Sequence, residues 1–173
     1  FEPAFTPDVC RLLSASGLIA VTGGLEVASD RLLEKMDKGI TVDQVVQVAS
    51  AFSEADVMVH AYLMYGFPTQ THQEAIDAME IVRQLFVHGL LDSGFWHRFV
   101  LTKHSGVIRD PARFDVDVLF PEKRSFSEND LVHFDRHGVE WEAFDEVLPK
   151  SLRSWMQGDE LHKAVESYFE TDM

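Results

Sequence analysis

The strongest clue to the fold is the stretch VMVHAYLMYGFPTQT at residues 57–71. Val57 to Tyr65 is a mostly apolar run with the length of a buried strand. The Gly66-Phe-Pro68 segment that follows is a tight, stiff turn, because proline restricts the residue before it to an extended conformation. Thr71 and Glu74 then have the spacing of a capping box, which marks the start of a helix. The stretch therefore predicts a strand, a turn and a helix in direct succession.

The residues on either side of this stretch continue the alternation of helix and strand. Leu18–Thr22 and Phe95–Leu101 each form an apolar run of strand length. Capping residues and glycine stops delimit four helices. These helices begin at Thr6, Ser29, Thr41 and Thr71, and glycine stops follow at Gly17, Gly39 and Gly89. Strands joined by helices form parallel sheets with right-handed crossovers. The first hundred residues therefore predict an α/β fold with three parallel strands, either as a small open sheet or as one part of a larger barrel.

The C-terminal third of the sequence has a different character. Residues 108–120 have the composition of an extended or irregular segment. A capping pattern predicts a helix from Ser127 to about Gly138, and a last helix is predicted from about Asp159. Aromatic residues in this part are expected to pack on the αβ unit; they are Trp141, Phe144, Trp155, Tyr168 and Phe169. We therefore divide the chain into an αβ domain at 1–105 and a mostly helical C-terminal extension at 106–173.

Composition and charge narrow the classes of function. The 173 residues are 46% hydrophobic, which is enough to bury a core, and the formal net charge is −14. Phosphate binding needs clustered Lys and Arg, so this charge argues against a nucleic-acid partner. No apolar run approaches the roughly 20 residues that span a bilayer, and no signal peptide is visible. We therefore expect a chain that binds neither nucleic acid nor a membrane.

The cysteine count limits the chemistry further. Cys10 is the one cysteine in the sequence. A single cysteine excludes a disulfide framework and fits a reducing, cytoplasmic setting. An iron–sulfur cluster needs several thiolates held close together, so this chain cannot build one alone. Because the chain begins with Phe1 rather than Met, we expect it to be part of something longer.

Three loops lie where a parallel sheet binds its ligands, at the carboxyl ends of the strands. They are Gly23–Ser29, Gly66–Thr71 and the residues after Leu101. In the first loop, paired glycines allow close backbone approach, and the Glu26 carboxylate could accept hydrogen bonds from a ribose diol or an ammonium group. The alternative is a plain strand-to-helix turn with a solvated glutamate. The second loop could present backbone amides and the Phe67 ring to a flat heterocycle, or it could be structural only.

Strand alternation separates the two faces of the second strand. The face with the polar atoms suits a ligand-bearing interior; its residues are Met58, His60, Tyr62 and Met64. The other face is suited to packing under helices. His60 also has a simpler interpretation as a satisfied core histidine. In the third strand, His97 and Arg98 point to opposite faces, so we expect one to line a site and the other to form a structural ion pair.

Other polar residues give weaker indications. Lys103 and His104 follow the third strand, where they could meet a carboxylate or a phosphate. His133 and His137 have the i, i+4 spacing that could chelate zinc on a helix, but only carboxylates are available as a third ligand. No nucleophile elbow, phosphate loop or dinucleotide fingerprint is present. The residues alone therefore assign no metal ligand and no catalytic residue.

Three motifs taken together resemble the C-terminal half of the core domain of radical S-adenosylmethionine (SAM) enzymes. The first is Gly24-Leu-Glu26 followed by Ser29-Asp30, and the second is Met36-Asp-Lys38-Gly39-Ile-Thr41. The third runs from Ala61 to Thr71 and contains Gly-Phe-Pro-Thr-Gln-Thr. The similarity covers roughly residues 5–105, and the extension resembles that of Fe–S oxidoreductase-type proteins.

The resemblance implies a six-stranded partial TIM barrel that binds SAM and a [4Fe–4S] cluster. The three strands of this chain would be the fourth to sixth, which is a half TIM-type barrel. In the family, a Cys-x-x-x-Cys-x-x-Cys loop after the first strand holds the cluster, and this chain has no such loop. The resemblance therefore implies a fragment or a truncated homologue. The remainder of the parent chain would hold the cluster.

The resemblance also assigns roles to residues that match the motifs. Glu26 would contact the ribose or the amino group of SAM, and Ser29 of the same motif would also belong to the cofactor site. Lys38 would be a candidate partner for the SAM carboxylate, although an outward-facing helix lysine explains it nearly as well. The adenine would lie beside Gly66 and Phe67, and its edge would meet the backbone from Phe99 to Leu101.

The substrate of the parent enzyme is not identified by the sequence. His60, Tyr62 and His97 would face it, with His104 nearby. In the full enzyme, reductive cleavage of SAM would give a 5′-deoxyadenosyl radical that abstracts hydrogen from this substrate. The isolated chain would not catalyse the reaction.

Two other functions stay open. The chain could be a non-catalytic αβ interaction or scaffold module that kept the half-barrel and lost the chemistry. It could also be an unrelated αβ hydrolase-like domain that uses His97 or His104. An isolated half-barrel exposes an unpaired edge strand and apolar surface, so we expect the chain to self-associate.

Overall fold

Three parallel strands form the central sheet of the computed structural model, which describes residues 1–120 and 129–169. The strands are β1 (Ala20–Glu26), β2 (Met58–Tyr65) and β3 (Ser93–Arg98), and β2 lies in the middle. This confirms the predicted α/β class with three parallel strands and is consistent with a partial TIM-type fold. The outer strands are displaced from their predicted positions: β1 continues through its two glycines to Glu26, and β3 ends three residues earlier than expected.

Four helices connect and flank the strands. They are α1 (Pro7–Ala15), α2 (Asp30–Lys35), α3 (Val42–Ser53) and α4 (His72–Val87). The predicted caps of three helices are confirmed, since the side chains of Thr6, Thr41 and Thr71 each accept a backbone N–H of the first turn. The fourth prediction is wrong in detail. Ser29 precedes α2 but makes no capping hydrogen bond, and α2 ends at Lys35 rather than near Gly39.

The main core lies between one face of the sheet and the helices. Strand β2 alternates as predicted, with every second side chain buried; these are Val59, Ala61, Leu63 and Tyr65. Apolar faces of α3 and α4 cover them, and each fully buried aliphatic side chain contributes roughly 1.5–3 kcal/mol. No helix of the described residues covers the opposite face of the sheet, and we call it the open face. It carries Met58, His60, Tyr62 and Met64 of β2.

The C-terminal extension contains a two-stranded sheet that the sequence did not predict. After α5 (Gly106–Arg109) and a 3-10 turn at Pro111–Phe114, strand β4 (Val116–Leu119) pairs antiparallel with β5 (Val132–Asp135). The helix predicted up to Gly138 is therefore wrong over residues 129–138, and its start at Ser127 lies outside the described residues. The capping pattern there is local, whereas pairing with β4 satisfies the backbone of β5 from a distance.

The long helix of the extension lies earlier than predicted. Helix α6 (Glu142–Met156) packs on the sheet through residues at helical spacing, which are Phe144, Leu148, Leu152 and Trp155. The helix predicted from Asp159 is wrong, because residues 159–164 are not helical and the described part of this segment forms a short 3-10 helix at Val165–Tyr168. The expected packing of the extension's aromatic residues on the αβ unit is confirmed.

A second apolar cluster joins the extension to the carboxyl ends of the strands. It brings Phe67 and Leu101 of the αβ domain together with Phe114, Val116 and Leu131 of the extension. Residues of the αβ domain and of the C-terminal extension contribute to the main core and to the second apolar cluster alike. The domain division at residue 105 stays a prediction. Within the described ranges, no helix has the length and apolar character needed to cross a membrane.

Candidate functional site

The carboxyl end of β1 is bent by a bulge that turns Glu26 back over the strand. Gly24 pairs with Tyr62 and Glu26 with Leu63, so one residue is skipped, and Glu26 has φ +58°. A Cβ at Gly24 would lie 2.5 Å from Oε1 of Glu26. A side chain at Gly24 would therefore displace the Glu26 carboxylate, which lies beside the open face.

Lys38 is the ion-pair partner of this carboxylate. Its Nζ lies 2.7 Å from Oε1 of Glu26, and the side chains are 42% and 13% exposed. Lys38 follows the end of α2, where Asp37 has φ +59° and turns the chain back toward β1. It is therefore not an outward-facing helix lysine. The structure brings together the two residues that the motifs assign to the polar part of a ligand.

Ser29 and the turn after β2 are tied to the same region by Glu74. The Ser29 hydroxyl donates to Oε1 of Glu74 at 3.5 Å, and Arg31 donates to both Glu74 oxygens at 2.7 Å. Arg31 also donates to the carbonyl oxygen of Thr69 at 2.9 Å. Burial acts to raise the pKa of the Glu74 carboxyl, but hydrogen bonds from Arg31 and Thr71 outweigh it and hold the pKa below its ordinary value. The turn is therefore clamped between α2 and α4.

The turn at Gly66 is held from inside by Gln70. Its Oε1 accepts the Gly66 N–H at 2.7 Å, and the glutamine side chain is fully buried. Gly66 has φ +73°, a conformation that favours glycine. The Phe67 ring is only 4% exposed and packs against Phe99 and Phe114. The expectation that Phe67 presents its ring to a heterocycle is therefore corrected, because the ring belongs to the second apolar cluster.

The predicted hydrogen-bonding edge after β3 is partly occupied. The Phe99 N–H donates to the Tyr65 carbonyl at 2.8 Å, and the Leu101 carbonyl accepts the Leu131 N–H at 2.7 Å. Leu101 is also fully buried. The expectation that the Leu101 backbone hydrogen-bonds a ligand is therefore corrected, since its carbonyl already pairs with the extension.

A small cavity lies beside Gly66 and Phe99. It has a volume of about 330 Å³, and the other walls include Arg98, His133, Asp135 and Trp141. Its size is at the lower end of the range for small-molecule pockets. Gly66 and Phe99 of the predicted adenine site therefore line a cavity, whereas Phe67 and Leu101 are buried in the second apolar cluster.

The open face of the sheet carries the predicted substrate-facing side chains. His60 is half-buried, and its Nδ1 lies 2.8 Å from the Ser93 hydroxyl. Tyr62 is about half exposed and meets the His60 ring edge-on at a centroid distance of 5.2 Å. His97 pairs in register with Met64 and lies on the same face. The structure therefore brings His60, Tyr62 and His97 onto one surface.

Arg98 lies on the opposite face and forms the expected ion pair. Its Nη1 is 3.1 Å from Oδ2 of Asp145, and the Tyr65 hydroxyl donates to Oδ1 at 2.6 Å. Burial, followed by this hydrogen bond, raises the pKa of the Tyr65 phenol. His104 is exposed in the turn that joins Thr102 to Ser105, beyond the end of β3, and is not part of the open face.

The histidines of the extension do not form a metal site. His133 belongs to β5 and His137 to the following turn, so their predicted helical spacing does not apply. Nε2 of His137 lies 3.6 Å from Asp115 instead. In the part of the chain that the structure describes, no group of three His, Cys, Asp or Glu side chains could hold a metal ion.

The sequence analysis did not identify several residues that lie near the site. Phe95 shares the open face with His97, and alternation along β3 would have placed it there. Gln70 and Asp145 hold the ends of β2 and β3, but their contacts depend on tertiary structure and had no local signal.

The comparisons with known proteins agree with the motifs. Residues 2–82 match a family model described as the radical SAM superfamily. A search of curated proteins gives no match. The matched residues include β1, β2, the Glu26–Lys38 pair and the clamped turn after β2.

Proposed function

Since residues 2–82 belong to the radical SAM superfamily, we propose that this chain contributes part of the SAM site and part of the substrate site of a radical SAM oxidoreductase, and that it does not catalyse the reaction alone. The superfamily generally uses SAM together with a [4Fe–4S] cluster. When bound, this pair of groups supplies one-electron chemistry. The residues of this chain fit the two groups differently.

The chain does not fit an iron–sulfur cluster. Cys10 is the single cysteine, and it is fully buried on α1 within the main core. Burial raises the pKa of its thiol, which disfavours the thiolate that a metal requires. We therefore assign the cluster to residues outside this chain, in the remainder of a longer parent.

The Glu26–Lys38 pair fits the polar part of SAM and is the observation that carries the proposal. The methionine part of SAM has an ammonium and a carboxylate, and the pair offers one charge of each sign. Glu26 can accept from the ammonium or from the ribose hydroxyls, while Lys38 can donate to the carboxylate. The bulge at Gly24 keeps both groups at the carboxyl end of the sheet, where ligands of parallel sheets bind.

The adenine is assigned to the cavity beside Gly66 and Phe99. Its aromatic walls suit a flat heterocycle, and a glycine backbone allows close approach. Phe67 and Leu101 support this cavity from the second apolar cluster rather than touching the ligand. Ser29 acts through Glu74 by fixing the turn, and is a positioning residue.

The substrate is assigned to the open face. His60, Tyr62 and His97 line it, and they can hydrogen-bond or stack on a bound molecule. His104 lies beyond the strand end and would contact only a substrate that extends past β3. The lone cysteine further suits a reducing, cytoplasmic setting.

A non-catalytic interaction module is the second candidate. The absence of cluster cysteines from the sequence favours it, as does the burial of Phe67 and Leu101 under the extension. Such a module would keep the Glu26–Lys38 pair as a structural ion pair and would have no need to bind SAM.

Reconstitution of the longer parent protein separates the two candidates. The parent, loaded with iron and sulfide under reducing conditions, is expected to cleave SAM, and the isolated 173-residue chain is not. The Glu26→Gln variant of the parent should lose most of this cleavage while Glu34→Gln, an exposed change on α2, retains it. A loaded parent that shows no SAM cleavage would contradict the proposed function and favour the interaction module.

A further inference from the structure

Two aromatic side chains lie opposite each other in the middle of the open face. The strand register pairs Tyr62 of β2 with Phe95 of β3. Tyr62 is 49% exposed and Phe95 is 58% exposed. Aromatic side chains have large surfaces whose burial is strongly favourable, so a pair this exposed marks an interaction surface.

The strand positions around this pair carry no formal charge. Up to the bulge at Gly24, the positions of the three strands that face this side hold no Asp, Glu, Lys or Arg, although a quarter of the chain is charged. At the carboxyl end, the charges of Glu26 and Lys38 compensate each other. A charged group pressed onto this face would lose water without gaining a partner, so the face selects an uncharged one.

Hydrogen-bonding groups flank the aromatic pair along the strands. His97 lies two residues after Phe95 on β3, and therefore on the same face. Its imidazole forms no hydrogen bond within the described residues. On the other side, the His60 ring uses Nδ1 for Ser93 and leaves Nε2 available. A neutral imidazole offers a donor and an acceptor, so the surface can orient a ring that carries polar atoms on its edge.

We propose that the molecule bound on this face presents an uncharged planar aromatic or heteroaromatic ring, which packs on Tyr62 and Phe95 and hydrogen-bonds to His97. The inference rests on the proposed function, because it takes the open face as the interior of the substrate site. It adds the chemical class of the substrate. A purely apolar partner would bury Nε2 of His60 and the imidazole of His97 without hydrogen bonds, which is costly.

Titration with indole tests the proposal on the 173-residue chain. Indole is a planar, uncharged ring with one donor, and binding is followed by nuclear magnetic resonance of the aromatic side chains. Saturable shifts are expected at Tyr62 and Phe95. Tyr62→Leu and Phe95→Leu should each weaken binding about fivefold or more, because stacking is lost. Tyr62→Phe should retain binding.

Controls separate stacking from general hydrophobic attachment and from misfolding. Val100→Ser changes another exposed apolar residue, beyond the end of β3, and should leave indole affinity unchanged. Thermal unfolding checks that each variant folds. We expect Tyr62→Leu and Phe95→Leu to fold, because both positions are about half exposed. Equal binding of the ring-saturated probe cyclohexanol, or unchanged indole affinity in Tyr62→Leu, would overturn the proposal.

The test is independent of the cofactor. The titration contains no SAM, so failure of indole to bind contradicts the substrate class alone. If the chain binds indole but does not bind SAM in a separate titration, the result contradicts the proposed SAM site alone. Repeating the titration at several chain concentrations tests whether a second copy occupies the face. If indole shifts appear only where the chain is dilute enough to be monomeric, self-association competes with indole. That result would overturn the assignment of the face to a substrate.

Discussion

Nζ of Lys38, in the turn after α2, lies 2.7 Å from Oε1 of Glu26 at the end of β1. The glutamate side chain is mostly buried and the lysine side chain is partly exposed. Removing one partner of a partly buried pair leaves the other charge unpaired, whereas a zwitterionic ligand can replace both partners at once. The pair is thus suited to exchange its internal bond for bonds to a ligand with an ammonium and a carboxylate.

Glu74→Gln should destabilise the clamped turn in a pH-dependent way. The wild-type pKa lies below the ordinary value of 4.5, so the carboxylate contributes stability above that pH and loses it as the pH falls through the folded-state pKa. At neutral pH we expect a loss of about 1 kcal/mol, since the Arg31 bonds lose their charged acceptor. Urea unfolding across acidic pH measures the difference between variant and wild type.

The exposed Glu34→Gln change on α2 is the control for the Glu74 experiment. The stability difference between Glu74→Gln and wild type should shrink below pH 4.5, and Glu34→Gln should show little difference at any pH. A Glu74→Gln difference that stays constant or grows on acidification would refute the role of the charge.

Tyr65→Phe should loosen the attachment of α6 to the sheet. The Tyr65 hydroxyl donates to Asp145 at 2.6 Å, and deleting it leaves Asp145 with Arg98 as its partner. We expect a loss of about 1–2 kcal/mol in the free energy of unfolding. Because the pKa of the folded-state phenol is raised, this contribution is complete below the ordinary value of 10.0 and declines at higher pH.

Tyr62→Phe serves as the matched control for Tyr65→Phe. Its hydroxyl makes no hydrogen bond to the described residues, and the residue is half exposed. Unfolding in urea should therefore leave Tyr62→Phe close to the wild type. Equal stability of the two variants would show that the Tyr65–Asp145 bond does not hold α6.

Thr22→Lys should reduce self-association of the chain. β1 is an edge of the three-stranded sheet, and Thr22 is exposed on it. A lysine on an edge strand disfavours pairing with a second edge. Light scattering over a range of concentrations should show larger species for the wild type than for the variant. The control Gln47→Lys adds the same charge at an exposed position of α3 and should self-associate like the wild type. A wild-type chain that stays monomeric at high concentration would contradict the expected self-association.

Local signals predicted the αβ part of the fold well. The alternation along β2 and the capping box of Thr71 with Glu74 depend on neighbouring residues, so the sequence alone reveals them. Ser29 shows the limit of this approach, since a contact with Glu74, 45 residues away, replaces its expected capping bond.

The extension and the details of the site depend on distant contacts. The strand at Val132–Asp135 exists through its pairing with β4, and four residues carry too little pattern to predict it. Glu26 and Lys38 were assigned separately, but their meeting depends on the bulge after Gly24. Phe67 was placed correctly in a turn, and its burial follows from packing with the extension.

The affinity of the 173-residue chain for SAM, measured by isothermal titration calorimetry, tests the central claim most directly. We predict saturable binding by the wild type and by Glu34→Gln, and binding weakened about tenfold or more by Glu26→Gln, which loses a charge-assisted acceptor. Thermal unfolding should show that all three proteins are folded. Binding of SAM with the same affinity to Glu26→Gln and to the wild type would contradict the assignment of Glu26, and an absence of binding to the wild type would contradict the SAM site itself.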